Sequence, residues 1–484
     1  MNPSLGLDRT SVIPLQDQLF AQLRQLIINR ILKPKSRLIA TRFLAEQIGV
    51  SRTTVLLAYE RLISEGYLET RPAVGTFVRS ILPDQPKPIS VPLLPSHIAR
   101  HASLHPSVFD FQLSATSTFS ADLIDFGKSR FDPNYLVSAR VLLNGMRKYF
   151  TREPECLAER HPAAGVPALR RAIADRLAAT RGIVASPDQV MIVSGCRQAC
   201  NLVAHLFQVR DDNVVMEAPG DLDVISLFKA RGAHLVHVPV DEYGLKTERL
   251  PQEPVSLAYV TSACQNPLGG TLPQSRRKQL IDWARGVGAY LIEDESDAEL
   301  RYHGLLLSSL AALDPYGLVF YIGSFARTLG PALGLSYLII PLEFVNAITA
   351  LKNMTDDGCS WLSQMVVADL LTNGEYEHHL RRVRKVAMER RDCLIRELRI
   401  HFGDVRLLGA EIGTQLTWLL PKHLPSGSLV CDKANAHGAK IECVNSDHAE
   451  ACPYNNKALV FNYAGLTTVQ IRQGIARVAE ALDS

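Results

Sequence analysis

The sequence predicts a multidomain chain: a small N-terminal domain, mainly α with a small β wing, and a large C-terminal α/β domain. Three observations carry this. At 484 residues the chain exceeds what one compact core supports. Residues 1–80 hold eleven Lys and Arg against six Asp and Glu, a net +5 within a chain whose total is +3. From about residue 120, short β-branched runs alternate with helical stretches, the pattern of a largely parallel sheet covered on both faces.

Composition narrows the class. Hydrophobic residues make up 47% and charged residues 21%, as in a globular protein. No run of about eighteen apolar residues occurs, so no membrane partner is expected. The opening MNPSLGLDRTSVIPLQ lacks an apolar signal core, which makes the cytoplasm the expected location. The nine cysteines include no CxxC pair and no Cys/His cluster at metal spacing, so free thiols and no metal are expected.

In the first 80 residues, Pro14 opens a helix whose apolar stripe is Leu15, Leu19, Leu23, Leu26 and Ile27, with Pro34 as its expected end. A second helix spans about Thr41–Ile48, and Gly49 makes the turn. Ser51 is a natural N-cap for a third helix, stopped by Gly66. Two β-prone runs, Tyr67–Arg71 and Gly75–Arg79, then form a hairpin.

Helix, Gly turn, helix and wing is the layout of a winged helix-turn-helix, which reads double-stranded DNA. Ser51, Arg52, Thr53 and Thr54 occupy the first turn of the third helix, where hydroxyls and a guanidinium reach base edges and phosphates. Arg42 is placed to clamp a phosphate, and Arg37 and Gly75 lie where the backbone or minor groove passes. The stretch LIATRFLAEQIGVSRTTVLLAYERLISEGYLETRPAVGTFV closely resembles the winged helix of GntR-type regulators. It departs at Leu38-Ile39-Ala40, where that family usually carries a proline, which costs loop rigidity but not the fold.

Residues 81–119 are expected to be an extended linker, because 81–107 hold six prolines and no glycine. The remainder, 120–484, reads as a large lobe to about residue 373 and a smaller one over 374–484. Here HPAAGVPALRRAIADRL, VSGCRQACNLVAHLF, CQNPLGGTLPQSRR, IEDESDAELRY, GSFARTLGPALGLSYLIIP and EYEHHLRRVRKVAMERRD resemble the successive motifs of fold-type I aminotransferases. With the winged helix, the chain resembles the MocR subgroup of GntR regulators. That resemblance implies an operator-binding head-to-tail homodimer and an effector-sensing domain that holds pyridoxal phosphate (PLP).

The residues modify that expectation. Where the family has its Schiff-base lysine this chain has Arg327, and a guanidinium keeps its proton and forms no imine. The neighbouring phosphate-binding serine and arginine are matched by Ala326 and Gly334, the ring tyrosine by Ser296, and an expected aromatic residue by Asp221. Asp294, matching the pyridine-nitrogen partner, and Asn266, matching the 3-oxygen partner, remain. So do Ser194, Gly195 and Cys196, which open a helix able to cradle an anion. The expectation is therefore a regulator with no covalent cofactor. Non-covalent PLP stays open, as does an acidic or phosphorylated effector held by Arg327. The survivors also have a purely structural reading, Asp294 pairing with Arg327 across the pocket. Two other readings stand beside this one: a PLP-dependent aminotransferase-like enzyme with a DNA-binding appendage, and a scaffold that only dimerises.

Overall fold

A computed structural model describes residues 6–80, except 10, 12 and 73, and residues 122–483, except 128–130, 133–135, 153, 305–306 and 446–451. The chain divides into two compact units. The proline-rich segment expected between them lies outside the described residues.

The N-terminal unit consists of α1 (Leu15–Ile28), α2 (Thr41–Ile48), α3 (Arg52–Ser64) and an antiparallel hairpin, β1 (Leu68–Arg71) with β2 (Gly75–Val78). Its core is the apolar stripe of α1, with Leu19, Leu23 and Ile27 packed on Leu44, Val55, Ala58, Leu62 and Val78. Three boundaries differ from the sequence expectation, one of them by the single residue Arg79, which lies beyond the end of β2. α1 stops at Ile28, well before Pro34, because Arg30 takes a left-handed φ of 58° and the N–H groups of Ile31 and Leu32 return to the Leu26 carbonyl. Tyr67 stays outside β1, its N–H bonded to the last turn of α3 at Leu62. α2 ends on Gly49 at φ +68°, a conformation that costs glycine nothing.

The C-terminal unit is built on an eight-stranded sheet, β4 (Val190–Val193), β5 (Asn213–Ala218), β6 (His234–Asp241), β7 (Gly244–Leu245), β8 (Leu257–Val260), β9 (Tyr290–Asp294), β10 (Val319–Ser324) and β11 (Ser336–Ile339). The spatial order is β4-β11-β10-β9-β8-β5-β6-β7. β10, β9, β8, β5 and β6 run parallel, and β11 is antiparallel to both β10 and β4. The strands are near-continuous apolar runs because both faces are covered. Beside them stand α4 (Ala139–Arg152), α5 (Pro167–Arg181), α6 (Cys196–Leu206), α7 (Leu222–Ala230), α8 (Gln274–Val287), α9 (Leu310–Leu313), α10 (Val345–Thr355) and α11 (Trp361–Thr372).

The long α12 (Glu375–Phe402) leads to a second, antiparallel sheet ordered β12-β13-β16-β15, from β12 (Arg406–Leu408), β13 (Gln415–Leu419), β15 (Glu442–Cys443) and β16 (Ala458–Asn462). α13 (Gly427–Ala436) and α14 (Thr468–Asp483) complete this part. β14 (Ala439–Lys440) pairs in parallel with β3 (Ile124–Asp125), so the first described stretch of the unit lies against its last hundred or so residues. All nine cysteines are free thiols, four of them buried. Among the described residues no helix is long and apolar enough to cross a membrane, and no group of His, Cys, Asp and Glu is arranged to hold a metal.

The loop carrying Asn266 is fixed by backbone contact. Gly269 sits at φ +77°, and a Cβ there would come within 2.3 Å of the Gly409 Cα. Gln415 and Thr417 of β13 donate to the Pro267 carbonyl at 3.1 and 2.8 Å. Gly269→Ala is therefore expected to destabilise the domain by about 2–4 kcal/mol, from backbone strain plus a clash that no side chain can relieve. Denaturant titration of the full chain checks this, and a variant as stable as the parent would contradict it.

Candidate functional site

Two sites emerge, one in each unit. On α3 the Ser51 Oγ accepts the Thr54 N–H at 3.1 Å and lies 2.8 Å from the Thr54 hydroxyl, capping the helix. That cap engages the hydroxyls of both Ser51 and Thr54. Arg52 and Thr53, between them, are exposed. Arg42 is exposed on the first turn of α2. The structure brings Arg37 and Gly75 together: Arg37 bridges to Phe77 of β2, and a Cβ on Gly75 would lie 2.8 Å from the Arg37 Nε. Glycine at the wing therefore makes room for a guanidinium. Arg71 of the wing stacks over Phe77 at 4.6 Å and pairs with Glu69 at 2.8 Å.

The second site follows from topology. Parallel strands present all their carboxyl ends on one edge, and ligands of open α/β sheets bind there. β4 ends into Ser194-Gly195, β5 into the turn before Asp221, β8 into Thr261, β9 at Asp294 and β10 at Ser324, while the antiparallel β11 begins there at Ser336. Together they line a cavity of about 530 Å³ that includes all six expected pocket residues, Ser194, Gly195, Cys196, Asn266, Asp294 and Arg327.

Within it, Asp294 is surrounded by neutral donors. Its Oδ2 accepts from the Tyr259 hydroxyl at 2.8 Å and the Cys196 thiol at 2.8 Å, and its Oδ1 from the Ser296 N–H at 2.9 Å and hydroxyl at 2.6 Å. Burial raises its pKa above the usual carboxylate value. The hydrogen bond to Cys200, 3.7 Å away, together with burial holds the Cys196 thiol protonated, and burial does the same for Tyr259. The expected Asp294–Arg327 pair does not form. Arg327 instead lies 3.1 Å from Asp297 through its Nε, on the turn just past β9, and its guanidinium is 5.9 Å from the Phe131 ring centre. Asp294 leaves β9 on the other side, toward α6.

Asn266 donates its amide to Asp221 at 2.6 Å, and the same aspartate caps α7 through the N–H groups of Asp223 and Val224. Asp221, which stands where an aromatic residue is expected, thus caps a helix. At the anion end, the Ser194 N–H is bonded to the Gln198 side chain at 2.7 Å, and Arg197 pairs with Asp223. Ser336 donates to the Ser324 hydroxyl at 2.8 Å, and Gly334 stands at φ +58°. No lysine is among the described residues lining the cavity. Sequence reasoning missed Tyr259, Asp297, Ser324 and Ser336. The only available signal was their position at the ends of β-prone runs.

Fold and sites together define a DNA-reading winged helix joined to an aminotransferase-like domain. Comparison with known proteins agrees. Residues 15–78 match the family described as bacterial regulatory proteins, gntR family, and residues 130–478 match aminotransferase class I and II. The chain is similar to the probable rhizopine catabolism regulatory protein MocR of Rhizobium meliloti, at 29% identity covering 99% of this chain and 95% of that one. It is also similar to the pyridoxine biosynthesis regulator PdxR of Corynebacterium glutamicum, at 30% identity over 78% and 77% of the two chains. Among solved structures, a Pyrococcus horikoshii kynurenine aminotransferase shares the fold, with a TM-score of 0.71 at 24% identity, covering 79% of this chain and 96% of that one. The chain belongs to the MocR subgroup of GntR regulators, DNA-binding transcription regulators that carry an aminotransferase-like domain.

Beneath the pocket, Glu217 is fully buried among Thr261 and Gln265, and burial raises its pKa from 4.5 to about 7. A raised carboxyl pKa favours the fold below the ordinary value, and that advantage is lost as pH rises through the folded-state value. Between about pH 5 and about pH 8 the wild-type melting temperature should therefore fall more than that of Glu217→Gln. Parallel thermal melts check this, and identical slopes would contradict it.

Proposed function

We propose that the protein binds operator DNA as a homodimer, and that its aminotransferase-like pocket is a sensing site that forms no Schiff base with PLP. On the DNA side, Arg52 and Thr53 reach base edges, Arg42 and Arg37 hold phosphates, Ser51 and Thr54 set the helix end, and Gly75 lets the wing pack on Arg37. The exposure of Arg52 and Thr53 beside a satisfied cap supports this assignment. The +5 charge of residues 1–80 supplies the sequence-independent attraction.

The observation that carries the sensor reading is Arg327, at the family's lysine position and ion-paired with Asp297. The residues do not fit a covalently held PLP. A guanidinium does not give up its proton to attack an aldehyde. Asp294 already accepts four neutral hydrogen bonds, and the cup for a phosphate lacks an arginine at Gly334. These losses also disfavour the enzyme reading. An acidic or phosphorylated effector held by Arg327 must compete with Asp297 for the guanidinium.

In gel shifts of upstream DNA, Arg52→Ala should weaken specific binding by about 1–3 kcal/mol, and specific affinity should fall steeply with salt. Equal affinity for specific and random duplexes across salt would refute the DNA reading. Borohydride reduction after incubation with PLP, followed by peptide mapping, should trap no adduct on the wild-type pocket, whereas Arg327→Lys should gain one at residue 327. A trapped wild-type pocket adduct would refute the sensor reading.

A further inference from the structure

Leu56 and Leu57 are 42% and 44% exposed, on a helix whose Val55, Ala58, Tyr59 and Leu62 are buried in the core with α1 and α2 and whose Ile63 is partly buried. Large apolar surface left in water gains from an apolar partner. At about 100° per residue, Leu56 lies about 40° around the helix from Arg52 and about 60° from Thr53, one turn further on. It shares the face that carries the two exposed polar residues of the first turn, and Leu57 flanks it.

On the DNA reading given above, on which this inference rests, that face meets the major groove. There a thymine offers its C5-methyl, the one methyl group that the four bases present. We propose that Leu56, flanked by Leu57, reads thymine through its 5-methyl. The surroundings fit. Arg52 and Arg42 are exposed cations on neighbouring helix starts, suited to the phosphates on either side of a groove. Glu60 lies a further turn along, within about 20° of Thr53, and phosphates repel its carboxylate. Close approach to DNA therefore ends in the turn that holds Leu56 and Leu57. These leucines sit where the duplex is nearest and have no role in the core.

The full-length protein is used to select sites from a random-sequence duplex library. Selected sites should carry thymine at a fixed position. Replacing it with deoxyuridine, which removes only the methyl, should weaken binding roughly fourfold. Leu56→Ala should bind the thymine and deoxyuridine duplexes alike, and Leu56→Met, which keeps an apolar side chain of similar size, should restore the preference. Thermal melts confirm that both variants are folded. If deoxyuridine is tolerated at every thymine, or if Leu56→Ala keeps the fourfold preference, the thymine reading is overturned and DNA binding stands. If the protein selects no sequence at all, the DNA-binding reading fails and this inference fails with it.

Discussion

The geometry of the pocket depends on two buried arginines beneath it. Arg277 lies 3.5 Å from Glu293 and 3.6 Å from Glu295, all three side chains being almost fully buried. Arg181 donates to Glu295 through its Nε at 2.9 Å. Glu293 also accepts the N–H groups of Leu310 and Ala311 at the start of α9. Successive residues of a strand point to opposite faces, so clamping Glu293 and Glu295 on one side commits Asp294 to the other. A one-residue slip of β9 would turn two carboxylates into the cavity and bury Asp294 against the arginines. Removing either partner of such a buried pair leaves an uncompensated charge, which typically costs about 3–5 kcal/mol. The clamp holds the register of β9 and with it the floor of the pocket.

Above that floor the polar groups of the pocket bond to each other. Arg327 answers Asp297, Arg197 answers Asp223, Asn266 answers Asp221, and the Ser194 N–H answers Gln198. Asp294 has drawn in a thiol, a phenol and a hydroxyl rather than a cation. A buried carboxylate without a cation raises its pKa, and the four hydrogen bonds offset only part of that. The polar groups of this pocket thus bond mainly to one another, and fold alone does not transmit chemistry.

How much of this the sequence disclosed follows from the range of each interaction. α2 and α3 were legible because their determinants are local: apolar spacing, the Ser51 cap and the Gly49 turn. The premature end of α1 was not, since Arg30 adopts a left-handed conformation that its type does not announce. All six expected pocket residues line one cavity because strand ends in a parallel sheet must converge. Which residues then pair was illegible. Arg327 and Asp297 are thirty positions apart, and Asp297 lies on the turn beyond β9, where only the folded chain brings it to Arg327. Asp221 has a role that its sequence position did not disclose. Its value lies in capping α7 and holding Asn266, contacts that only the folded chain creates.

The ion pair of Arg327 with Asp297 also bears on what a ligand of the pocket can do. A ligand shifts a conformational equilibrium only by its differential affinity for the two states. One that makes equal contacts in both states binds without changing the affinity for DNA. On the proposed sensing role, an effector that takes Arg327 from Asp297 in one state and not in the other supplies such a difference. That exchange has a cost, because Asp297 is largely withdrawn from water and loses its cation. An effector's own contacts with Arg327 must offset that cost. The same reasoning makes Arg327 the pivotal side chain of the pocket: its partner is on the β9 turn, and β9 is held by the arginines beneath.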